Sequence, residues 1–90
     1  MNDTDFETVL IAKLAESRGT TQDEVRNELE RLGAIDSLEG LELLMDAERG
    51  FEISISDQEI SSDVCRSIPK MVALVRLKLA LAGAIEGEAE

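Results

Sequence analysis

The step Asp36-Ser37-Leu38 is the part of this sequence whose residue types most suggest chemistry. Aspartate and serine start helices because their side-chain oxygens accept backbone N–H groups that the first turn leaves without partners. A serine hydroxyl becomes a strong nucleophile only with a base to take its proton, and the chain contains no histidine. Ser37 therefore cannot belong to a Ser-His-Asp triad, and Cys65, the single cysteine, has no histidine to activate it. The same absence removes the usual ligand sets for zinc. Acids recur at Asp46, Glu48 and Asp57, but a calcium loop starting at Asp46 would need glycine where Phe51 stands. No G-x-x-x-x-G-K-[ST] phosphate loop occurs. No catalytic or metal-ligating residue is assigned, and Ser37 makes chemical sense as a hydroxyl that another enzyme modifies. A phosphate ester there would meet free backbone N–H groups and the positive end of a helix dipole. The plainer reading is that Asp36 and Ser37 only cap a helix.

Positioning that hydroxyl falls to a series of helices. Thr4-Asp5-Phe6-Glu7 has the form of a capping box. Phe6, Val9, Leu10 and Leu14 follow at helical spacing until Gly19, which predicts a first helix over residues 5–18. Thr21-Gln22-Asp23-Glu24 repeats the signature ahead of Val25, Leu29 and Leu32, with Gly33 as a stop. A second, shorter helix with a narrow apolar stripe is expected there. The central helix starts at Asp36 or Ser37, gains a carboxylate in its first turn from Glu39, and stops at Gly50. Phe51, Ile53 and Ile55 alternate with polar residues as in a strand. A lone strand has no partner for its backbone, so an extended segment pinned by Phe51 and Ile55 is expected instead. Residues 57–61 read as a helical turn capped by Ser56 or Asp57, and Val64 and Cys65 as inward-facing. Ser67 caps the last helix, and Pro69 suits its first turn because the N–H it lacks would have no partner. Ile68, Met71, Val72, Val75 and Leu79 form its apolar stripe. Leu74, Leu77 and Leu81 widen it, as for two buried sides or a self-association surface.

Composition agrees with an all-α chain: 43% of the 90 residues are hydrophobic, but only 2% are aromatic and one is proline, which disfavours a β-sandwich. One domain is expected over residues 1–82, with residues 83–90 as a frayed acidic tail. Net charge is −11, and residues 32–63 carry Asp36, Glu39, Glu42, Asp46, Glu48, Glu52, Asp57, Glu59 and Asp63 against Arg49 alone. That field repels nucleic acid and anionic membranes and attracts basic protein surfaces; the bland alternative is a solvated face that aids solubility. A lone Cys65 forms no internal disulfide and reads as a structural, buried thiol in a reducing compartment. The chain starts with acids where a signal peptide is basic. Its longest apolar stretch, residues 71–85, contains Arg76 and Lys78 and falls short of the ~20 residues of a membrane span. A cytoplasmic monomer without membrane insertion is expected.

Residues 32–57, LGAIDSLEGLELLMDAERGFEISISD, closely resemble the phosphopantetheine-bearing segment of acyl and peptidyl carrier proteins. The likeness lies in the Asp-Ser-Leu step, the Leu41-Glu42-Leu43 run, and Phe51, Ile55 and Asp57 at the family's spacings. It extends more weakly to the preceding helix and to Ser-Ile-Pro-Lys-Met-Val at residues 67–72. The resemblance implies a four-helix carrier-protein-like bundle, three longer helices and a short one before the last, with the extra helix in the long first loop. It implies a 4′-phosphopantetheine arm, moved from coenzyme A onto Ser37 by a phosphopantetheinyl transferase using its own magnesium, with Asp36 as the flanking motif residue. The arm would carry acyl, ketide or aminoacyl groups as thioesters, making the chain a shuttle rather than an enzyme. Its other partners would be acyl- or aminoacyl-loading enzymes and downstream transferases or synthases with basic docking patches. Leu38, Leu41, Glu42, Met45, Glu48 and Ile55 match the partner-binding surface. Periodicity alone would bury Leu38, Leu41 and Met45; the resemblance turns them outward and assigns Leu43, Leu44, Ala47 and Phe51 to the inward face.

The sequence also departs from the family. Both Ala34 and Ile35 stand between Gly33 and Asp36 where one residue is usual, Arg49 replaces a common acid, and Ala47 replaces a larger aliphatic residue. The last change implies a roomier core or one refilled by the helix of Val25, Leu29 and Leu32. These departures point away from the housekeeping carrier of fatty acid biosynthesis and toward a specialised one in polyketide, lipid or aminoacyl chemistry. A second class of function is an unmodified helical adaptor that only binds proteins.

Overall fold

Every helix among the described residues starts at a side chain that accepts at least one N–H group of its own first turn. In the computed structural model, which describes residues 2–82, these helices are α1 (Asp3–Arg18), α2 (Gln22–Leu32), α3 (Ser37–Phe51), α4 (Ser62–Cys65) and α5 (Ile68–Leu81). Their caps are Asn2, Thr21, Asp36, Ser61 and Ser67 in turn. No strand occurs among the described residues, so the chain is all-α there. Residues 83–90, expected as a frayed tail, lie outside the described residues.

Three boundaries differ from the sequence reading. The first helix begins two residues earlier than the expected residue 5, because Asn2 outcompetes Thr4 as the cap. Asn2 Oδ1 accepts from the Asp5 backbone at 2.9 Å, and Asp5 returns the bond to the Asn2 N–H at 3.3 Å. The central helix runs past Gly50, and Glu52, at φ 55°, forms the left-handed C-cap. Helical continuation keeps Phe51 edge-on to Phe6, with ring centroids 5.5 Å apart, so ring packing overrides glycine's tendency to stop a helix. The helical turn expected over residues 57–61 is present but shorter, over residues 57–59, and a separate helix, α4, follows from the Ser61 cap. The segment between Phe51 and that turn contains no strand, as expected.

The core is built mainly from α1, α3 and α5. Phe6, Leu10, Ile11 and Leu14 of α1 meet Leu43, Leu44 and Ala47 of α3 and Met71, Val72, Val75 and Leu79 of α5. Burial of side chains of this size contributes ~1.5–3 kcal/mol each against exposure, enough to outweigh the weak propensity of short helices to form alone. The extra helix, α2, packs on α1. Val25 is its fully buried anchor, Leu29 is half-buried and Leu32 is exposed. Of the three α2 side chains expected to refill the space beside Ala47, only Val25 is fully buried, and α2 packs on α1 rather than on α3 among the described residues, so neither that refilling nor the roomier core is decided by its position. Arg26 reinforces the α1–α2 contact by donating to Glu7 at 3.2 Å and Thr8 Oγ1 at 3.4 Å. Cys65 is buried and Val64 half-buried against the core. Among the described residues, no helix is long and apolar enough to cross a membrane.

Candidate functional site

The entry to α3 is fixed from both sides. Gly33 ends α2 at φ 76°, a conformation that glycine adopts without a Cβ penalty. The chain then turns Ile35 into the core, where the Ile35 N–H donates to the Arg66 carbonyl at 3.1 Å. Ile35 therefore acts as a structural plug just before Asp36. Asp36 is the N-cap: its Oδ2 accepts from the Leu38 N–H at 3.1 Å and from the Glu39 N–H at 3.3 Å. Ser37, the first residue of the helix, is exposed, and its hydroxyl makes no protein hydrogen bond among the described residues. Capping and presentation are divided between neighbours.

This geometry corrects one expectation. The Leu38 and Glu39 N–H groups are already taken by Asp36, so a phosphate on Ser37 would not find them free.

Behind the cap, Glu39 is clamped to α1. Arg18 donates from Nε to Glu39 Oε2 and from Nη2 to Glu39 Oε1, both at 2.6 Å, while its Nη1 lies 2.9 Å from Glu28 Oε1 of α2. Glu39 first and Glu28 second hold the Arg18 guanidinium proton more tightly than in a free arginine. One turn on, Gly40 meets the backbone of α4: a Cβ built there would fall 1.6 Å from the Cys65 carbonyl oxygen. Only glycine lets the two helices approach so closely.

Burial along α3 follows the inward face implied by the family resemblance rather than simple periodicity. Leu43, Leu44 and Ala47 are buried and Phe51 is half-buried against them, whereas Leu38 is 63% and Met45 44% exposed. Glu42 is exposed between them. Leu41 is half-buried and packs on the core, so it presents only an edge. Two proposed contact residues need correction. Ile55 is 8% exposed and belongs to the core, because the segment after α3 folds its apolar side chain inward. Glu48 is half-buried, and its Oε2 accepts the Ile55 N–H at 2.8 Å, which commits it to holding that segment. Arg49 pairs with Asp46 one turn back.

No family model, curated protein or solved structure matches this chain.

The functional reading therefore rests on the residues themselves, and some of the most informative were not legible in the sequence. Arg18 looked like an ordinary basic residue closing a helix, and only tertiary packing brings it to Glu39. Gly40 did carry a signal, since glycine inside a helix costs ~1 kcal/mol relative to alanine and needs a reason. The loop after α3 hides another device. Glu59 Oε1 accepts from Lys78 Nζ at 2.7 Å, the Ser56 N–H at 2.9 Å and Ser56 Oγ at 3.0 Å. Lys78, then the Ser56 N–H, hold the Glu59 carboxyl down at about 2. Burial pushes the Cys65 thiol up, in keeping with a packing role.

Proposed function

We infer that this chain is an acyl-carrier-type protein that bears a 4′-phosphopantetheine arm on Ser37 and carries an acyl, ketide or aminoacyl group as a thioester. The observation that carries the reading is the division of labour at the start of α3. Asp36 satisfies the helix, which leaves the Ser37 hydroxyl exposed and unengaged beside exposed Leu38. The order of elements supports a carrier-like bundle: three longer helices, a short one before the last, and an extra helix after the first.

A flexible arm needs no pocket of its own, and the residues present fit one that is attached rather than enclosed. In transfer, the Ser37 oxygen forms a bond to phosphorus as the pyrophosphate link of coenzyme A breaks. The nucleotide half leaves, and the hydroxyl proton passes to a base on the transferase, since this chain has no histidine to take it. The arm supplies a terminal thiol for thioester chemistry. This chain contributes the attachment oxygen, a firm helix start and an outer face for recognition.

That face pairs the apolar tips of Leu38 and Met45 with exposed Glu42. Such a combination suits partner enzymes with basic patches, where charge sets the encounter and apolar contact sets the register. Partners of this kind are the phosphopantetheinyl transferase, a loading enzyme, and downstream transferases or synthases. The chain would work in the cytoplasm as a monomer, with residues 1–82 as the carrier domain. Arg49, tied to Asp46, and the buried Ile35 before Asp36 are departures from the family pattern that support a specialised carrier over a housekeeping one.

The test is intact-mass measurement after incubation with coenzyme A, magnesium and a broad-specificity transferase. Wild type gains the mass of the arm and Ser37→Ala does not. No gain on wild type, or an equal gain on Ser37→Ala, would overturn the reading and leave a helical adaptor that binds proteins only.

A further inference from the structure

The Arg18 side chain joins three helices beside the candidate attachment point. It closes α1, grips Glu39 in the first turn of α3 through both Nε and Nη2, and reaches Glu28 of α2 through Nη1. A planar guanidinium satisfies a carboxylate through paired, parallel bonds, which fixes direction as well as distance; an ammonium cannot. All three side chains are largely withdrawn from solvent, so the contact is screened less than an exposed ion pair.

Glu39 is the link to Ser37. Its backbone N–H is held by the Asp36 carboxylate at 3.3 Å, and its side chain is held by Arg18 of α1. The turn that carries Ser37 is thus closed by its own cap and tied at Glu39 to a neighbouring helix. Helix starts are otherwise prone to fray, and a hydroxyl on a fraying turn samples many directions.

We propose that Arg18 is a positioning residue for arm transfer: by clamping Glu39 it holds the first turn of α3 so that the Ser37 hydroxyl meets the transferase in a reactive orientation. The proposal rests on the carrier reading of Ser37. Two other roles for Arg18 make different predictions. If it only stabilises the fold, its loss lowers the concentration of competent carrier, which raises KM and spares kcat. If it only masks the charge of Glu39 from the incoming phosphate, neutralising Glu39 is harmless or helpful.

The experiment is steady-state transfer kinetics with coenzyme A and a broad-specificity transferase, varying the carrier, on wild type, Arg18→Gln, Arg18→Lys and Glu39→Gln. Circular dichroism first checks that each variant is helical at the assay temperature. The expected result for Arg18→Gln is a fall in kcat of about tenfold with KM little changed, a smaller loss than the ~100-fold that 1 Å of misplacement can produce. Glu39→Gln, which leaves Arg18 on Glu28, lowers kcat in the same direction, and it serves as the probe if Arg18→Gln does not fold. Arg18→Lys recovers part of the loss. A wild-type kcat in Arg18→Gln, or in Glu39→Gln, overturns the proposal while leaving the carrier reading intact. Failure of wild type itself to accept the arm overturns the carrier reading, and this proposal with it.

Discussion

At the scale of single residues, the site separates tasks that adjacent side chains could have shared. Asp36 takes the N–H groups of Leu38 and Glu39, and Ser37 keeps its hydroxyl exposed. The Asp-Ser pair was legible in the sequence as a helix start, but which member would cap was not, since either can accept from the first turn. A similar limit applied to Glu48, which looked like surface charge until the chain after Phe51 brought the Ile55 N–H to its carboxylate. Glu59 yields a prediction at this scale. Its carboxyl is lowered from 4.5 to about 2, chiefly by Lys78 and then by the Ser56 N–H. A depressed carboxyl favours the folded state above its unfolded value, and that contribution fades as pH falls from about 4.5 through about 2. A carboxyl-detected NMR titration is expected to place Glu59 near 2 in wild type and higher in Lys78→Gln, though still below the ordinary glutamate range because the Ser56 N–H remains. An ordinary value in wild type would mean that the Glu59–Lys78 contact does not hold in solution.

At the scale of elements, α3 is organised by a contrast between its faces, and Gly40 sets how closely it can pack. A methyl group there would collide with the Cys65 carbonyl, which is backbone and cannot rotate away, so α4 must move. In an isolated helix Gly→Ala stabilises by ~1 kcal/mol; here overpacking of ~1–3 kcal/mol opposes it and loss of the α4 seat adds to the cost. Gly40→Ala is therefore expected to destabilise the protein by about 2 kcal/mol in urea unfolding, and to speed labelling of the buried Cys65 thiol by a maleimide. A variant as stable as wild type, with Cys65 equally protected, would contradict the close α3–α4 contact. Helix existence was readable because capping residues and apolar spacing agree for α1, α2, α3 and α5. Boundaries were less so: Asn2 and Thr4 both fit a cap, and Gly50 is held in the helix by the edge-to-face packing of Phe51 against Phe6. Periodicity also misjudged α3. It could group Leu38, Leu41 and Met45 on one face but could not say which face the rest of the bundle would cover.

At the scale of the whole molecule, the acidic charge is not spread as a uniform coat. Several acids are occupied internally, including Glu39 by Arg18, Glu59 by Lys78 and Glu48 by the Ile55 N–H. Glu42 stays exposed between the exposed side chains of Leu38 and Met45. Reversing it is therefore the cleanest probe of the outer face. Glu42→Lys is expected to slow association with the transferase about threefold at low salt and to converge on wild type near 1 M salt, where the Debye length is ~3 Å. Equal rates at low salt would make the acidic band a solvated surface only. Long-range pairings such as Arg18 with Glu39 were invisible in the sequence because charge alone does not reveal which residues the fold brings together. The central claim, that Ser37 is an attachment point, has a direct test in the chain's own cleavage pattern. Trypsin cutting after Arg31 and Arg49 releases residues 32–49, a peptide in which Ser37 is the only hydroxyl-bearing side chain and which contains no cysteine. After treatment with coenzyme A, magnesium and a transferase, mass spectrometry of the digest is predicted to find the phosphopantetheine mass on that peptide alone. An unshifted 32–49 peptide, or the added mass on any other, would contradict the account.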